Sequence, residues 1–363
     1  MSKKEKLPLE DLNSDAVVET IHENALRPKH LQDYVGQKAV TSRLEVFMAA
    51  ARARNAVLDH VLLSGPPGLG KTTLAHIVAH EMRGNIHVTS GPTLSKPVDL
   101  LSILSNLKQG DVLFIDEIHR LSNHVEEALY PAIEDFQIQV ILGEGAAAQA
   151  VTLPVKPFTL VGATTQAGRL TGPLRDRFGI HLNLDFYSKE EMVRILKRSA
   201  KILGIELSAD EFNAVAGRSR GTPRITNRLL ARVRDILHVM ENGGDISAEA
   251  HQMLHEAGGE GRKGAQVVHA ALDFLDVDEL GLQPLDRSFL KVLIEQFNGG
   301  PAGIESIAAS LSEDRRTLEE TVEPFLLKTG FLLRTPRGRV ASHKAYKHLG
   351  AELPASAQPS LDL

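Results

Sequence analysis

The chain has 363 residues, 42% of them hydrophobic and 24% charged, with a net charge of −5; this is too long for one ordinary core and is expected to form two or three soluble domains. No apolar run is long enough to cross a bilayer, and the absence of cysteine excludes both a disulfide framework and a thiolate metal site, which fits a reducing cytoplasm. The acidic balance excludes nucleic-acid binding by bulk charge, so any such surface must be a local patch.

Residues 1–25 are polar and aperiodic and are expected to form a flexible arm; Lys3, Lys4 and Lys6 lead into no apolar stretch, so this is not a secretory signal. Val40, Leu44, Phe47, Met48 and Ala51 recur at helical spacing and predict an amphipathic helix over 39–53. The apolar run 60–63 then enters Gly65-Pro66-Pro67-Gly68-Leu69-Gly70-Lys71-Thr72, and a helix-like segment starting at Thr73 follows. Strand, glycine loop and helix in that order let backbone N–H groups and a helix N-terminus converge on a phosphate. Lys71 is placed to reach the β- and γ-phosphates, and the Thr72 hydroxyl to ligate Mg²⁺.

A short strand over 86–91 and a helix over 94–107 come next, then Asp111-Val112-Leu113-Phe114-Ile115-Asp116-Glu117. An unbroken apolar run suits a central strand of a parallel sheet, and the two acids fall at its carboxyl end, where such sheets bind ligands. Asp116 is assigned to Mg²⁺ and Glu117 to polarising the attacking water. After a helix over 126–133, the β-rich runs 137–142 and 151–155 flank a small-residue loop and predict a hairpin. It either projects to a partner or packs on its own domain. The next core strand, 158–163, ends in Thr164-Thr165, which brings a hydroxyl near the γ-phosphate. In Leu174-Arg175-Asp176-Arg177-Phe178 one arginine can pair with Asp176 while the other points outward, as an arginine finger supplied in trans does.

From Ser188 the pattern is helical. Ser188-x-x-Glu191 and Ser208-x-x-Glu211 are capping boxes, and Thr222 caps a further helix with Pro223 first. Arg224 falls in that helix's first turn, against the dipole, which calls for an anion. The stretch 258–264 is a glycine-rich break. After a helix over 286–297, the helices over 303–311 and 315–327 read as a helix-turn-helix, and 331–340 as two strands around a turn, a wing. Lys328, Arg334, Arg337, Arg339, Lys344 and Lys347 lie there with no acid among them, a patch suited to DNA phosphates. Residues 351–363 are expected to be a disordered tail.

Together the phosphate loop, Ile115-Asp116-Glu117, the hairpin, Gly162-Ala163-Thr164-Thr165, Leu174 to Phe178, Gly221-Thr222-Pro223-Arg224 and the winged-helix end resemble the AAA+ ATPases. Asp116-Glu117-Ile118-His119-Arg120-Leu121, Tyr130-Pro131-Ala132-Ile133-Glu134-Asp135 and Arg334-Thr335-Pro336-Arg337-Gly338-Arg339 resemble, more narrowly, the bacterial RuvB family of Holliday-junction branch-migration motors. The likeness runs from about Arg27 to Gly350. It implies an α/β fold: a large AAA+ domain with a P-loop parallel sheet (26–186), a small helical domain (187–258) and a C-terminal winged-helix domain (259–350). It also implies an ATP- and Mg²⁺-dependent helicase or translocase, a homohexamer on duplex DNA, in recombination and DNA repair.

By the same resemblance Gly68, Gly70, Lys71, Thr72 and Thr73 cradle ATP. Leu26, Arg27, Glu134, Asp135, Phe136 and Tyr187 line its pocket. Thr164 or Thr165 is the first sensor, Arg224 the second, and Arg177 the finger reaching a neighbour's ATP. Arg315, Arg334, Arg337 and Arg339 contact DNA, the hairpin docks on RuvA, and RuvC is a further partner in a resolvase complex. Gln166 departs from the arginine usual in the family, which puts intersubunit coupling in question. A clamp-loader-like switch would share the same ATPase residues, and a DNA-binding regulator with a vestigial phosphate loop conflicts with an intact Lys71, Asp116 and Glu117.

Overall fold

The computed structural model describes residues 25–142, 149–242, 246–250, 252–253 and 265–353. Five parallel strands form the central sheet in the order β2-β3-β6-β1-β7. They are β1 (Val61–Ser64), β2 (Ile86–Ser90), β3 (Val112–Asp116), β6 (Thr159–Thr164) and β7 (Ile180–Asn183). β3 and β6 are apolar along nearly their whole length because both faces are covered, and β6 is buried at every residue. Helices α1 (Lys38–Ala53) and α2 (Lys71–Glu81) pack on one face through Leu44, Met48, Leu74, Ile77 and Val78. Helices α3 (Pro97–Leu104) and α4 (Asn123–Glu134) cover the other through Leu100, Leu104, Val125 and Leu129. β7 is absent from the sequence reading. As the edge strand beside β1 it alternates buried and exposed residues over only four positions, which is too short for a period-two signal to stand out.

The hairpin is β4 (Gln137–Leu142) with β5 (Gln149–Pro154), antiparallel, in register from Gln137 opposite Pro154 to Leu142 opposite Gln149. Its root packs on its own domain. Ile138 and Val155 at its root are buried in the core beside Phe158, while Leu153 is exposed. The connecting loop lies outside the described residues.

Both capping boxes are formed. The Ser188 N–H donates to Glu191 at 2.8 Å and the Glu191 N–H to the Ser188 hydroxyl at 3.2 Å, opening the helix Lys189–Leu203. The equivalent pair at Ser208 and Glu211 opens Ala209–Arg218. The third helix of this unit, Pro223–Asn242, starts at the proline as expected, although the Thr222 hydroxyl donates to the Arg220 carbonyl. The winged-helix domain, expected from 259, begins later. Residues 254–264 lie outside the described residues, and the helix Ala265–Phe274 packs on the lid helices through Val268, Ala271 and Leu272, in the core of the ATPase and lid. The separate C-terminal core starts at Leu282 and centres on Phe289, Leu293, Ile307, Leu326 and Phe331. Burying each of these side chains is worth about 1.5–3 kcal/mol.

Within that core the helices Pro284–Glu295 and Ile304–Leu311 precede the predicted 315–327 helix, which is not continuous. It runs as Arg315–Thr317, a π turn Leu318–Val322, then Glu323–Lys328. Pro324 has no N–H to return to the Glu320 carbonyl, so the regular ladder breaks there. The wing is the antiparallel pair β8 (Leu332–Thr335) and β9 (Gly338–Ala341), followed by a helix, His343–Leu349, that the sequence reading does not include.

Candidate active site

The phosphate loop crosses the carboxyl end of β1, and its shape depends on glycine. Gly70 has φ +100°, and a Cβ there would meet the Tyr34 hydroxyl at 2.6 Å. Gly68, at φ +78°, lies so close to the lid that a Cβ would meet the Thr222 methyl at 2.8 Å. Tyr34, unmarked in the sequence reading, braces the loop: Tyr187 donates to the Tyr34 hydroxyl at 2.8 Å, which donates to the Leu69 carbonyl at 3.2 Å.

A cavity of about 260 Å³ opens over this loop. Gly68, Gly70, Lys71, Thr72 and Thr73 form its floor, and Asp116 and Glu117 one wall. Arg27, Arg224, Pro223 and Asn227 reach it from the N-terminal segment and the lid. Lys71 is 7% exposed, and its Nζ donates to the Gly65 and Pro66 carbonyls at 2.7 and 2.8 Å. Burial lowers its pKa to about 8, with Asp116 opposing the shift and Arg224 adding to it. A buried cation folded on main-chain carbonyls, with glycines holding the loop open, fits a polyphosphate. Thr72 and Asp116 together offer the hydroxyl and carboxylate that Mg²⁺ takes.

Glu117 sits at φ +46°, a left-handed backbone that is strained for glutamate. Its carboxylate is held by Arg120 at 2.6 Å. The two threonines divide. Thr164 is fully buried, its hydroxyl 3.0 Å from His119 Nδ1 and accepting from the Gln166 N–H at 2.9 Å. Thr165 lines the cavity, and its buried hydroxyl has no partner among the described residues. Thr165 is thus the threonine available to a phosphate.

Other expected residues lie elsewhere. Leu26 is buried and not among the cavity's lining residues, its carbonyl accepting from Arg198 at 2.9 Å, and Tyr187 bonds both the Tyr34 hydroxyl and, at 3.1 Å, the Leu69 carbonyl. Glu134, Asp135 and Phe136 do not line this chain's cavity; they occupy the root of the hairpin. Arg177 is there too: it pairs with Glu134 at 3.0 Å, lies over the Tyr130 ring at 4.1 Å and donates to the Pro173 carbonyl. Asn227, Tyr34 and Glu320 are the contributors that no local motif marked.

On the wing, Arg334 and Arg337 are exposed. Arg339 is not: its side chain is 10% exposed and bonded to Glu323 and Glu319, so its expected DNA contact gives way to a buried ion pair. Arg315 is exposed but paired with Glu305 and Glu319.

Three family models match in succession: the Holliday junction DNA helicase RuvB P-loop domain over 26–184, the RuvB AAA lid domain over 187–258 and the RuvB C-terminal winged-helix domain over 279–350. Among solved structures the chain is similar to the Thermotoga maritima RuvB Holliday junction branch migration motor, at 49% identity and a TM-score of 0.79, covering 91% of this chain and 100% of that one. Two point mutants of the same Thermotoga maritima protein are similar at 49% identity, one with a TM-score of 0.80 over 90% of this chain and 100% of that one, the other with 0.79 over 91% and 99%. Among the described residues no helix is long and apolar enough to cross a membrane. With a P-loop site on a parallel sheet, a helical lid and a winged helix all matched in order, the chain belongs to the RuvB family.

Proposed function

We propose that this chain is the ATP-driven motor that pulls duplex DNA to drive branch migration at Holliday junctions, in recombination and repair in the cytoplasm. ATP takes the cavity over Lys71, with Gly68, Gly70, Thr72 and Thr73 donating to its phosphates. Thr72 and Asp116 would hold Mg²⁺, which when bound would supply charge neutralisation to the phosphates. Glu117 accepts the proton of the attacking water and Thr165 senses the γ-phosphate, while Arg224 reports from the lid.

The observation that carries this reading is the position of Arg177. The rest of the hydrolytic set converges on one cavity, whereas Arg177 is held outside it with Glu134, Asp135 and Phe136. A site lacking its finger within one chain is completed by a neighbour, so the working form is a ring, a homohexamer by family resemblance. The outer hairpin docks on RuvA, RuvC joins for resolution, and Arg334 and Arg337 hold the DNA backbone.

The test is ATP hydrolysis by the purified chain with and without junction DNA and RuvA, beside Lys71→Ala as the blank. Strong stimulation by DNA and RuvA together is expected. Turnover indifferent to both would sink the junction-motor reading.

A further inference from the structure

Among the cavity's lining residues that the hydrolytic scheme does not use, one is a carboxylate, and it comes from the winged-helix domain. Glu320 lies in the π turn of the 315–328 segment and lines the same cavity as Lys71, Asp116 and Glu117. Its Oε1 accepts from Gln166 Nε2 at 3.0 Å. Gln166 is held at its other end, its N–H donating to the Thr164 hydroxyl, which in turn meets His119. One hydrogen-bonded chain therefore runs from the segment after Glu117, through Thr164 at the end of β6 and Gln166, into the winged helix.

The docking is supported on both sides of this bond. Lys328 Nζ is 3.3 Å from Asp185 and lies over the Phe186 ring at 4.2 Å. Arg220 of the lid stacks on Phe325 at 4.6 Å and forms a buried pair with Asp286. The helix that carries the DNA-binding face is thus packed against the nucleotide pocket.

Asp116 and Glu117 each have a role there, one toward metal and one toward water. A third carboxylate facing a polyphosphate is repelled by it, and more strongly in a partly desolvated site than in water. We infer that Glu320 is an electrostatic antagonist of bound triphosphate: the docked winged helix and bound ATP oppose each other, so nucleotide binding displaces the DNA-binding domain through the Glu320–Gln166 contact. Linkage makes the effect reciprocal, and docking weakens ATP by the factor with which ATP weakens docking. The π turn is the local device, because a regular helix interrupted at Pro324 re-aims Glu320. This inference rests on the reading that the cavity binds ATP.

The test is the affinity of the full-length chain for a non-hydrolysable ATP analogue with Mg²⁺, by calorimetry, for the parent, Glu320→Gln and Gln166→Ala. Glu320→Gln keeps the shape and removes the charge, and affinity should rise by at least about 5-fold, the lower end of ordinary coupling between sites. Gln166→Ala releases the docked carboxylate and should raise affinity as well, by a smaller factor. A second readout uses the absence of cysteine. A dye pair on Val98→Cys and Leu333→Cys, both exposed, should change separation when the analogue binds the parent and change less in Glu320→Gln.

Unchanged or weaker affinity in Glu320→Gln, with the parent binding normally, overturns the antagonist role; weaker affinity would make Glu320 a metal or nucleotide ligand. A parent that does not bind the analogue at all overturns the ATP reading itself, and the antagonism with it.

Discussion

The nucleotide cavity and the wing both carry cations suited to phosphate, and they hold them in opposite states. Lys71 is buried, its ammonium donates to main-chain carbonyls, and desolvation lowers its pKa to about 8. On the wing, Arg339 is locked to Glu323 and Glu319, and on the helix before it Arg315 pairs with Glu305 and Glu319. Arg334 and Arg337 remain exposed, with no ion pair among the described residues. The contrast teaches that a basic residue is available to phosphate only where the tertiary structure has not already neutralised it. In the cavity, glycines and main-chain groups surround the cation. On the wing, acids brought from the preceding helix engage Arg339 and leave Arg334 and Arg337 exposed.

The largest test of the contrast is on the cavity side. Arg177→Ala should lower ATP hydrolysis about a thousandfold or more while sparing nucleotide binding, the usual weight of an arginine finger. Hydrolysis at the parental rate would refute a finger at this position. Next, Arg339→Met leaves the buried Glu323 carboxylate uncompensated and should cost about 3–5 kcal/mol in denaturant unfolding of the winged-helix domain. Pairing it with Glu323→Leu should recover much of that loss. If Arg339→Met instead weakened DNA binding with no change in unfolding, Arg339 would be a DNA contact after all.

The third test is pH. Lys71 is a cation with a depressed folded pKa, so the nucleotide-free protein keeps the proton below that value and loses it above, whereas a bound polyphosphate restores it. Nucleotide affinity is therefore full below pH 8 and should fall roughly tenfold between pH 7 and pH 9, as linkage requires. A flat profile would mean that Lys71 stays charged throughout. For folding the same shift has the opposite consequence, since burying the charged form disfavours the native state below its folded pKa and that penalty is lifted as pH rises toward the unfolded value. The smallest effect belongs to the wing. Arg334→Ala and Arg337→Ala should each weaken DNA binding uniformly across sequences and reduce the salt slope by about 1. An unchanged slope would place the DNA elsewhere.

The chemistry of the site was legible because its parts are short and local. The phosphate loop needs strand, glycines and helix in immediate succession, and β3 delivers Asp116 and Glu117 by its own end. The capping boxes at Ser188 and Ser208 are four-residue patterns, and they formed as written. Family resemblance supplied Arg177 as a finger, but its pairing with Glu134 needed the fold. Residue spacing also left Thr164 and Thr165 equivalent. Only packing turned one hydroxyl to His119 and the other to the cavity.

What the amino-acid order by itself determined is the set of groups and the elements that carry them, since apolar periodicity, caps and glycine turns act over a few residues. The tertiary structure alone decided which charges meet. The Tyr34–Tyr187 brace under the phosphate loop joins residues 153 positions apart, and the Gln166–Glu320 contact joins residues 154 apart. Neither leaves a trace in local pattern, because the energy that forms them comes from domains docking on one another rather than from any segment's own preference.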